Sequence, residues 1–511
     1  MSDMMYGIRR KGANMGSMTR RFFIGGLTSA FALGPRRIFA APDGAIPGGR
    51  PALSFGLLSD IHIALSKGGR RLHPTYTTET LVKAFEWFRD NGADAVVIAG
   101  DMAHCGLGGE LLAVAEAWFR VFPGDKAPDG RHVERVFAFG NHDWSSPGRA
   151  KGVFPDEAER NANLIVADPK KWWREAFHED WSPFQLRSVN GYDFVCAHWT
   201  NGGCHGKNEK FTKGLKEYYD TLKGRLDTSK PFFHVQHPHP RGTVHGDRVW
   251  GQDDGVAPGI LSAYQNAIAF SGHSHTSLTD ERSIWQGAFT SVGCASLRDV
   301  SAGMPGILSL PDGYENTKTP KKMDDAGKAM GVLARMDCRQ GQFVRVYGDR
   351  VVFSRREFIT EAKLCDDLVM PLPAAERRPF EFAGRAAVAK APRFPAGATL
   401  VVERKKGSLR GNKKAKVDVW ELAIPAATAE RAARAAVYEV AIKGPRGFSK
   451  TLGMVSPGAR FPMTDARCSA PDIFRVACSR LPARGVVFSV TAISCWGRRS
   501  EPLTATAQTK A

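Results

Sequence analysis

The 511-residue chain has no CxxC pair and no other cysteine spacing of a structural zinc site. Its nine cysteines are expected to act mostly as small buried hydrophobes. Cys468 and Cys478, ten positions apart, are near enough in sequence to pair in an oxidising compartment. Nor is there an apolar run of the roughly 20 residues that crosses a bilayer, so no membrane-spanning segment is expected. The composition lacks the bias of a disordered chain, with 43% hydrophobic and 24% charged residues. The net charge of +19 lacks an even spread: residues 1–50 and residues 403–416, "ERKKGSLRGNKKAK", each carry a net +6. The rest is only mildly basic, so nucleic acid is not expected as a partner.

A length of 511 residues exceeds what one core usually serves, and more than one folded unit is expected. The first stretch, "MTRRFFIGGLTSAFALGPRRIFAAP", has a basic start, a short apolar middle and small residues near Ala40. That order reads as an export signal over residues 1–41. Arg20 and Arg21, with Thr19 before them and Phe23 after, resemble the twin-arginine (Tat) signal. A bacterial periplasmic or secreted location follows as an expectation.

From residue 52 onward, apolar runs alternate with amphipathic ones. "ALSFGLLSD" (52–60), "ADAVVIAGD" (93–101) and "VERVFAFGN" (133–141) read as buried strands, with helices over 77–92 and 108–122 between them. Strands follow at 192–198, 231–237 and 266–273, and a hairpin near 341–358. Such alternation predicts an α/β layered core over 52–365. The Pro-rich polar stretch 366–394 reads as a linker. Residues 395–508 carry short alternating strands at sandwich spacing, and predict a smaller all-β sandwich domain. The closing "GVVFSVTAISCWGRRSEPL" resembles the last strands of a fibronectin type III domain. The basic run 403–416 falls between two of those strands, as a solvated hairpin loop or a surface for a cell-envelope polymer.

Chemistry-bearing residues stand at the strand ends. "LLSDIH" ends in Asp60 and His62, "VVIAGD" in Asp101, and "FAFGNHD" in Asn141, His142 and Asp143. His237 follows the strand 231–237, and "IAFSGHSH" ends in His273 and His275. Ligands of α/β sheets bind outside the carboxyl ends of the strands, so five strands deliver imidazole, carboxylate or amide to one edge. An Asn, an imidazole and a carboxylate are costly to bury there unless something satisfies them. Carboxylate and imidazole without thiolate suit Mn, Fe, Zn or Co in an open site.

These five blocks, in this order, resemble the calcineurin-like metallophosphoesterases, whose signature is D-x-H, G-D, G-N-H-D/E, a later His and G-H-x-H. The resemblance spans about residues 52–300. It implies two metal ions, with Asp101 bridging them, Asp60, His62 and His275 completing one, and Asn141, His237 and His273 completing the other. It implies that His142 faces the substrate and stabilises or protonates the leaving oxygen, and that a metal-bridging hydroxide attacks a phosphate mono- or diester. His239 is the alternative to His237. Gly140 is expected to let the backbone turn sharply. Position 104 is His, where phosphoprotein phosphatases have Asp and purple acid phosphatases Tyr, so the chain fits neither subgroup; His104 is a candidate ligand or a helper of His142. The Trp-rich segment 144–230 is a candidate pocket wall, or simply packing. The competing reading, a cell-surface binding protein on a phosphoesterase-like scaffold, predicts a decayed ligand set, and the set here is intact.

Overall fold

Strand β1 (Leu53–Leu58) is buried along its whole length, as are β2 (Ala95–Ala99) and nearly all of β3 (Glu134–Ala138). Their continuous apolar runs suit a sheet covered on both faces. The structure is a computed structural model. It describes residues 49–511 except 74–76, 145–146, 201–207, 247–248, 250, 303–333, 337, 375, 410–411, 429, 431, 456–470, 483–484 and 508–511. The expected export signal at 1–41, and Cys468 of the candidate cysteine pair, lie outside these described residues. Five of the seven described cysteines are buried.

The second sheet takes β4 (Phe184–Val189), β5 (Tyr192–Ala197), β6 (Phe232–Val235), β7 (Ala267–Ser271), β8 (Ile284–Gln286) and β9 (Thr290–Gly293), in the order β4-β5-β6-β7-β9-β8. A two-stranded ribbon of β10 (Val300–Ala302) and β11 (Ala334–Met336) follows. Strands β12 (Gln340–Val346), β13 (Arg350–Glu357) and β14 (Leu368–Pro371) then join the first sheet, giving β14-β13-β12-β1-β2-β3. Within each sheet the strands β1-β2-β3 and β5-β6-β7-β9 run parallel, so their carboxyl ends share an edge.

The two sheets stack face to face on an aromatic centre. Phe55 of β1 meets Phe194, Phe233 and Phe270 with ring centroids 5.4, 5.1 and 5.7 Å apart. Helices α1 (Glu79–Asp90) and α2 (Gly108–Val121) cover the outer face of the first sheet, through Phe85, Phe88, Leu111 and Trp118. Helices Glu209–Leu222 and Val256–Leu261 cover the second. The layered α/β core expected from the sequence is therefore a β-sandwich flanked by helices. Trp172, Trp173 and Trp199 are buried in these layers, so they pack the core and do not wall a pocket. Trp144 and Trp181 are half-buried and stack 6.0 Å apart.

Residues 366–394 are not a free linker. β14 is the edge strand of the first sheet, residues 382–388 are helical, and Phe380 exchanges hydrogen bonds with Gln286 of β8. Leu368, Met370 and Phe380 are buried. Their apolar contacts, spaced among prolines and charges, do not show as a period in the sequence.

The C-terminal region is all-β, as expected. β15 (Val401–Leu409), β16 (Asn412–Ile424) and β19 (Asp472–Ala477) form one sheet. β17 (Ala435–Lys443), β18 (Ser449–Val455), β20 (Val487–Ser494) and β21 (Leu503–Thr506) form the other, in the order β18-β17-β20-β21. Trp420, Leu422, Tyr438, Val440, Phe488 and Val490 fill the space between. Within the basic run 403–416, residues 403–409 and 412–416 lie in the paired strands β15 and β16, where the sequence suggested a loop between strands. Lys405 pairs with Glu421, and Lys406 with Asp418, so part of its charge is matched within the sheet.

Candidate metal centre

Beyond β1 and β2, the two chain segments continue side by side. Ile61 and His62 donate to the Asp101 carbonyl, and Ile63 to that of Met102. This clamp carries Asp60, His62 and Asp101 into left-handed backbone, with φ of 53°, 53° and 55°. His273 and His275 beyond β7 do the same, at 71° and 54°. Such conformations are uncommon for non-glycine residues and cost free energy, so their gathering at one edge marks a site. Glycines hold it open. A Cβ on Gly140 would overlap the Asp101 carboxylate, and one on Gly272 would overlap Ser59 and the Asp60 carboxylate. Gly140 is not in the left-handed region. Its role is this close approach, not the sharp turn expected from the sequence.

Two groups of donors converge. In the first, His62 Nε2 and His275 Nε2 face each other at 3.0 Å, with Asp60 Oδ1 3.0 Å from His275 and 3.8 Å from His62. In the second, His237 Nε2 lies 3.1 Å from both His273 Nδ1 and Asp101 Oδ2. Asp101 Oδ2 is also 3.7 Å from His62 Nε2, so it stands between the groups. Asn141 is buried and opens the turn after Gly140, and the following amide, of His142, donates to Asp101 Oδ1 at 2.8 Å.

Residues 53–277 match the family model described as calcineurin-like phosphoesterase. This segment is a calcineurin-like phosphoesterase domain. A comparison with curated proteins gives no match. Among solved structures, a purple acid phosphatase from yellow lupin (Lupinus luteus) seeds is 12% identical, with 62% of this chain and 54% of that one covered and a TM-score of 0.36. The match thus spans about half the length of the lupin protein. The inner membrane complex anchor of Plasmodium is 12% identical, covering 61% of this chain and 87% of that one, at a TM-score of 0.33. Zinc-complexed Vps29 from Entamoeba histolytica is 7% identical, covering 62% and 99%, at 0.26.

The donor set of the phosphoesterase domain fits metal ions. Asp60 Oδ1 is buried and accepts no hydrogen bond, although three imidazole nitrogens surround it. Its other oxygen is saturated, accepting from Ser59 Oγ at 2.7 Å and from the His273 amide at 2.8 Å. Burial opposes charge on His237 and His275, yet the Asp101 and Asp60 carboxylates lift these imidazoles to about 9 and about 10. The pocket therefore draws positive charge, and a bound cation would displace those protons. The ring nitrogens turned away from the donors are oriented as second partners of ligating imidazoles usually are. His237 Nδ1 donates to the Ala99 carbonyl at 2.7 Å, and His275 Nδ1 to that of Asp299 at 3.0 Å.

His239 is not part of this cluster. Its two nitrogens engage Ser271 Oγ and Ser274 Oγ, both at 2.8 Å. His234 is similarly spent on Tyr219 and Gln236, and His198 takes the Phe139 amide. His104 does reach the centre, its Nδ1 3.4 Å from that of His62. Burial, with His62 and Arg298 adding to it, pushes its imidazole down to about 2. The His104 carbonyl accepts from His142 Nδ1 at 2.8 Å, which leaves His142 Nε2 as the other ring position.

Two carboxylates of the domain have roles that the sequence did not assign. Asp143 accepts from the amides of Gly140, Met102 and Ala103 at 2.7, 3.3 and 2.6 Å, and so ties the His142 turn to the Asp101 loop. Burial, then the nearby Asp101, pushes its carboxyl up to about 8. Asp299 lies 3.3 Å from His275 Nδ1. Asp143 belongs to the G-N-H-D block and was legible there; Asp299 follows no strand or motif and only tertiary contact exposes it.

Proposed function

We propose that the chain is an exported phosphoesterase using two metal ions. Asp60, His62 and His275 would hold one, Asn141, His237 and His273 the other, and Asp101 both. The observation that carries this reading is the position of Asp101 Oδ2 between two buried carboxylate–imidazole groups at the shared strand edge. Two such ions, when bound, neutralise the ester's charge and lower the pKa of water between them. The chain does the rest. His142 Nδ1 is committed to the His104 carbonyl, so Nε2 is the atom that exchanges a proton with the leaving oxygen. Its amide bond to Asp101 fixes that imidazole relative to the ligands. The three- and four-stranded sheets of the C-terminal region support the fibronectin type III-like reading of that domain. The twin arginines and apolar stretch in residues 1–41 support export.

The test is hydrolysis of p-nitrophenyl phosphate and bis-p-nitrophenyl phosphate by metal-stripped protein, then with Mn, Zn, Fe or Co restored. Turnover is expected only with metal. Asp101→Ala should abolish it along with one or both ions. His142→Ala should keep the ions and lose roughly 10²–10⁴-fold in kcat, the usual worth of a general acid. Turnover that survives metal removal would overturn the reading. Replacing Arg20 and Arg21 by Lys in a reporter fusion should block export.

A further inference from the structure

Two guanidinium groups cap the outer imidazoles of the centre. Arg149 Nη1 lies 2.5 Å from His142 Nε2, and Arg298 Nη1 lies 3.2 Å from His104 Nδ1. The ring centroids of His142 and His104 are 4.4 and 5.5 Å from that of His62, a member of the first donor group. Both cations thus stand one imidazole away from that group, although distant segments of the chain deliver them.

Their surroundings differ in a way that bears on what they bind. Arg149 is exposed, and its side-chain polar contacts among the described residues are both to the His142 ring. Among the described residues no carboxylate lies within ion-pair distance of this guanidinium, so its charge is unmatched. Arg298 is half-buried and steadied by its own segment: its amide donates to Ser296 Oγ at 3.0 Å, and its Nε is 3.7 Å from Asp299 Oδ1. Asp299 in turn lies against His275, so Arg298 is held in register with a member of the first group. One arginine is anchored by its own segment and the other reaches the centre from the solvent side.

A guanidinium presents a planar fork of donors that matches the oxygens of a phosphoryl group and strengthens with the anion's charge. A monoester offers a dianionic group with three unesterified oxygens. A diester offers a single negative charge, and a second carbon substituent takes the place of one of those oxygens. We propose that Arg149 and Arg298 bind the terminal oxygens of a dianionic phosphoryl group, making this a centre for phosphate monoesters rather than diesters. The inference rests on the reading of the centre as a phosphoesterase site and names the substrate class for it.

The experiment compares the metal-loaded wild type with Arg149→Gln, Arg298→Gln and the corresponding Lys variants. It reads kcat/KM for p-nitrophenyl phosphate and for bis-p-nitrophenyl phosphate, and the Kd for inorganic phosphate by calorimetry. Each Gln variant should lose roughly 10- to 100-fold on the monoester, the worth of one charge-assisted hydrogen bond, and less than about 3-fold on the diester. Phosphate should bind more weakly in parallel, and Lys should restore part of both. Equal losses on the two esters, or unchanged phosphate affinity, would overturn the proposal. A wild type that binds both ions yet hydrolyses neither ester would defeat the phosphoesterase reading instead, and the phosphate titration would still decide the role of the arginines.

Discussion

Gly140 shows how a residue with no chemistry of its own sets the chemistry of its neighbour. Its α-carbon sits against the Asp101 carboxylate, so any side chain there must push away the group that joins the two donor clusters. Gly140→Ala should leave the fold intact. It should lower the bound metal from two ions toward one, with roughly a 10- to 100-fold loss of affinity or activity, as when a ligand's supporting partner is lost. Metal analysis of the purified variant checks this, and full occupancy would contradict it. The residue types at the strand ends were legible because each follows an apolar run: Asp60, Asp101 and His273 are conspicuous after "LSFGLL", "AVVIA" and "AIAFS". His237 was separable from His239 only in three dimensions, where Ser271 and Ser274 take both nitrogens of His239.

At the scale of elements, the loops behind the strands are tied by one buried carboxylate. Glu110, in the first turn of α2, accepts from the amides of Cys105, Leu107 and Leu65 at 2.8, 3.3 and 3.2 Å. Those bonds join the segment after Asp101 to the segment after His62. Burial nonetheless pushes its carboxyl up to about 7 from an ordinary 4.5. A group whose folded pKa is raised contributes stability that is fully present below the unfolded value and lost as pH rises through the folded one. The Glu110 contribution should therefore fade between about pH 4.5 and 7. Glu110→Gln, which cannot ionise, should flatten that part of the stability profile while costing about 1–3 kcal/mol for an amide left without its acceptor. Denaturant unfolding at several pH values measures both. The helices and parallel strands that frame this loop follow their sequence periods closely. The edge strand β14 does not, because an edge needs few apolar contacts and tolerates the adjoining prolines.

Across the whole molecule, the β-rich C-terminal region is docked through the loop that leaves the G-H-S-H block. Glu281 accepts from the Ala432 amide at 2.5 Å, from Trp496 Nε1 at 3.0 Å and from Arg385. Arg434 reaches the Thr279 carbonyl at 3.3 Å, and Arg385 lies over the Trp496 ring at 5.0 Å. Glu281→Ala should cost about 2 kcal/mol, the loss of a charged partner and two further bonds. It should separate the calorimetric unfolding into two transitions, the lower one belonging to residues 395–508. A single unsplit transition would show that the apolar contacts of Phe382 and Ala386 with Trp496 and Val437 hold the regions together without it.

The sequence by itself determined the alternation of strands and helices, the all-β character of the C-terminal region and the set of residues at the strand ends. These are local facts: apolar period, chain order and residue type are all written along one dimension. Tertiary structure alone decided which imidazoles face one another, because His62 meets His275 only when two sheets stack on Phe55, and His237 meets His273 only when β6 and β7 pair. It likewise decided that residues 366–394 bind the core and that Arg149 and Arg298 lie against the neighbouring imidazoles of His142 and His104. Contacts between residues hundreds of positions apart depend on how sheets and loops fill space, and no period along the chain encodes that.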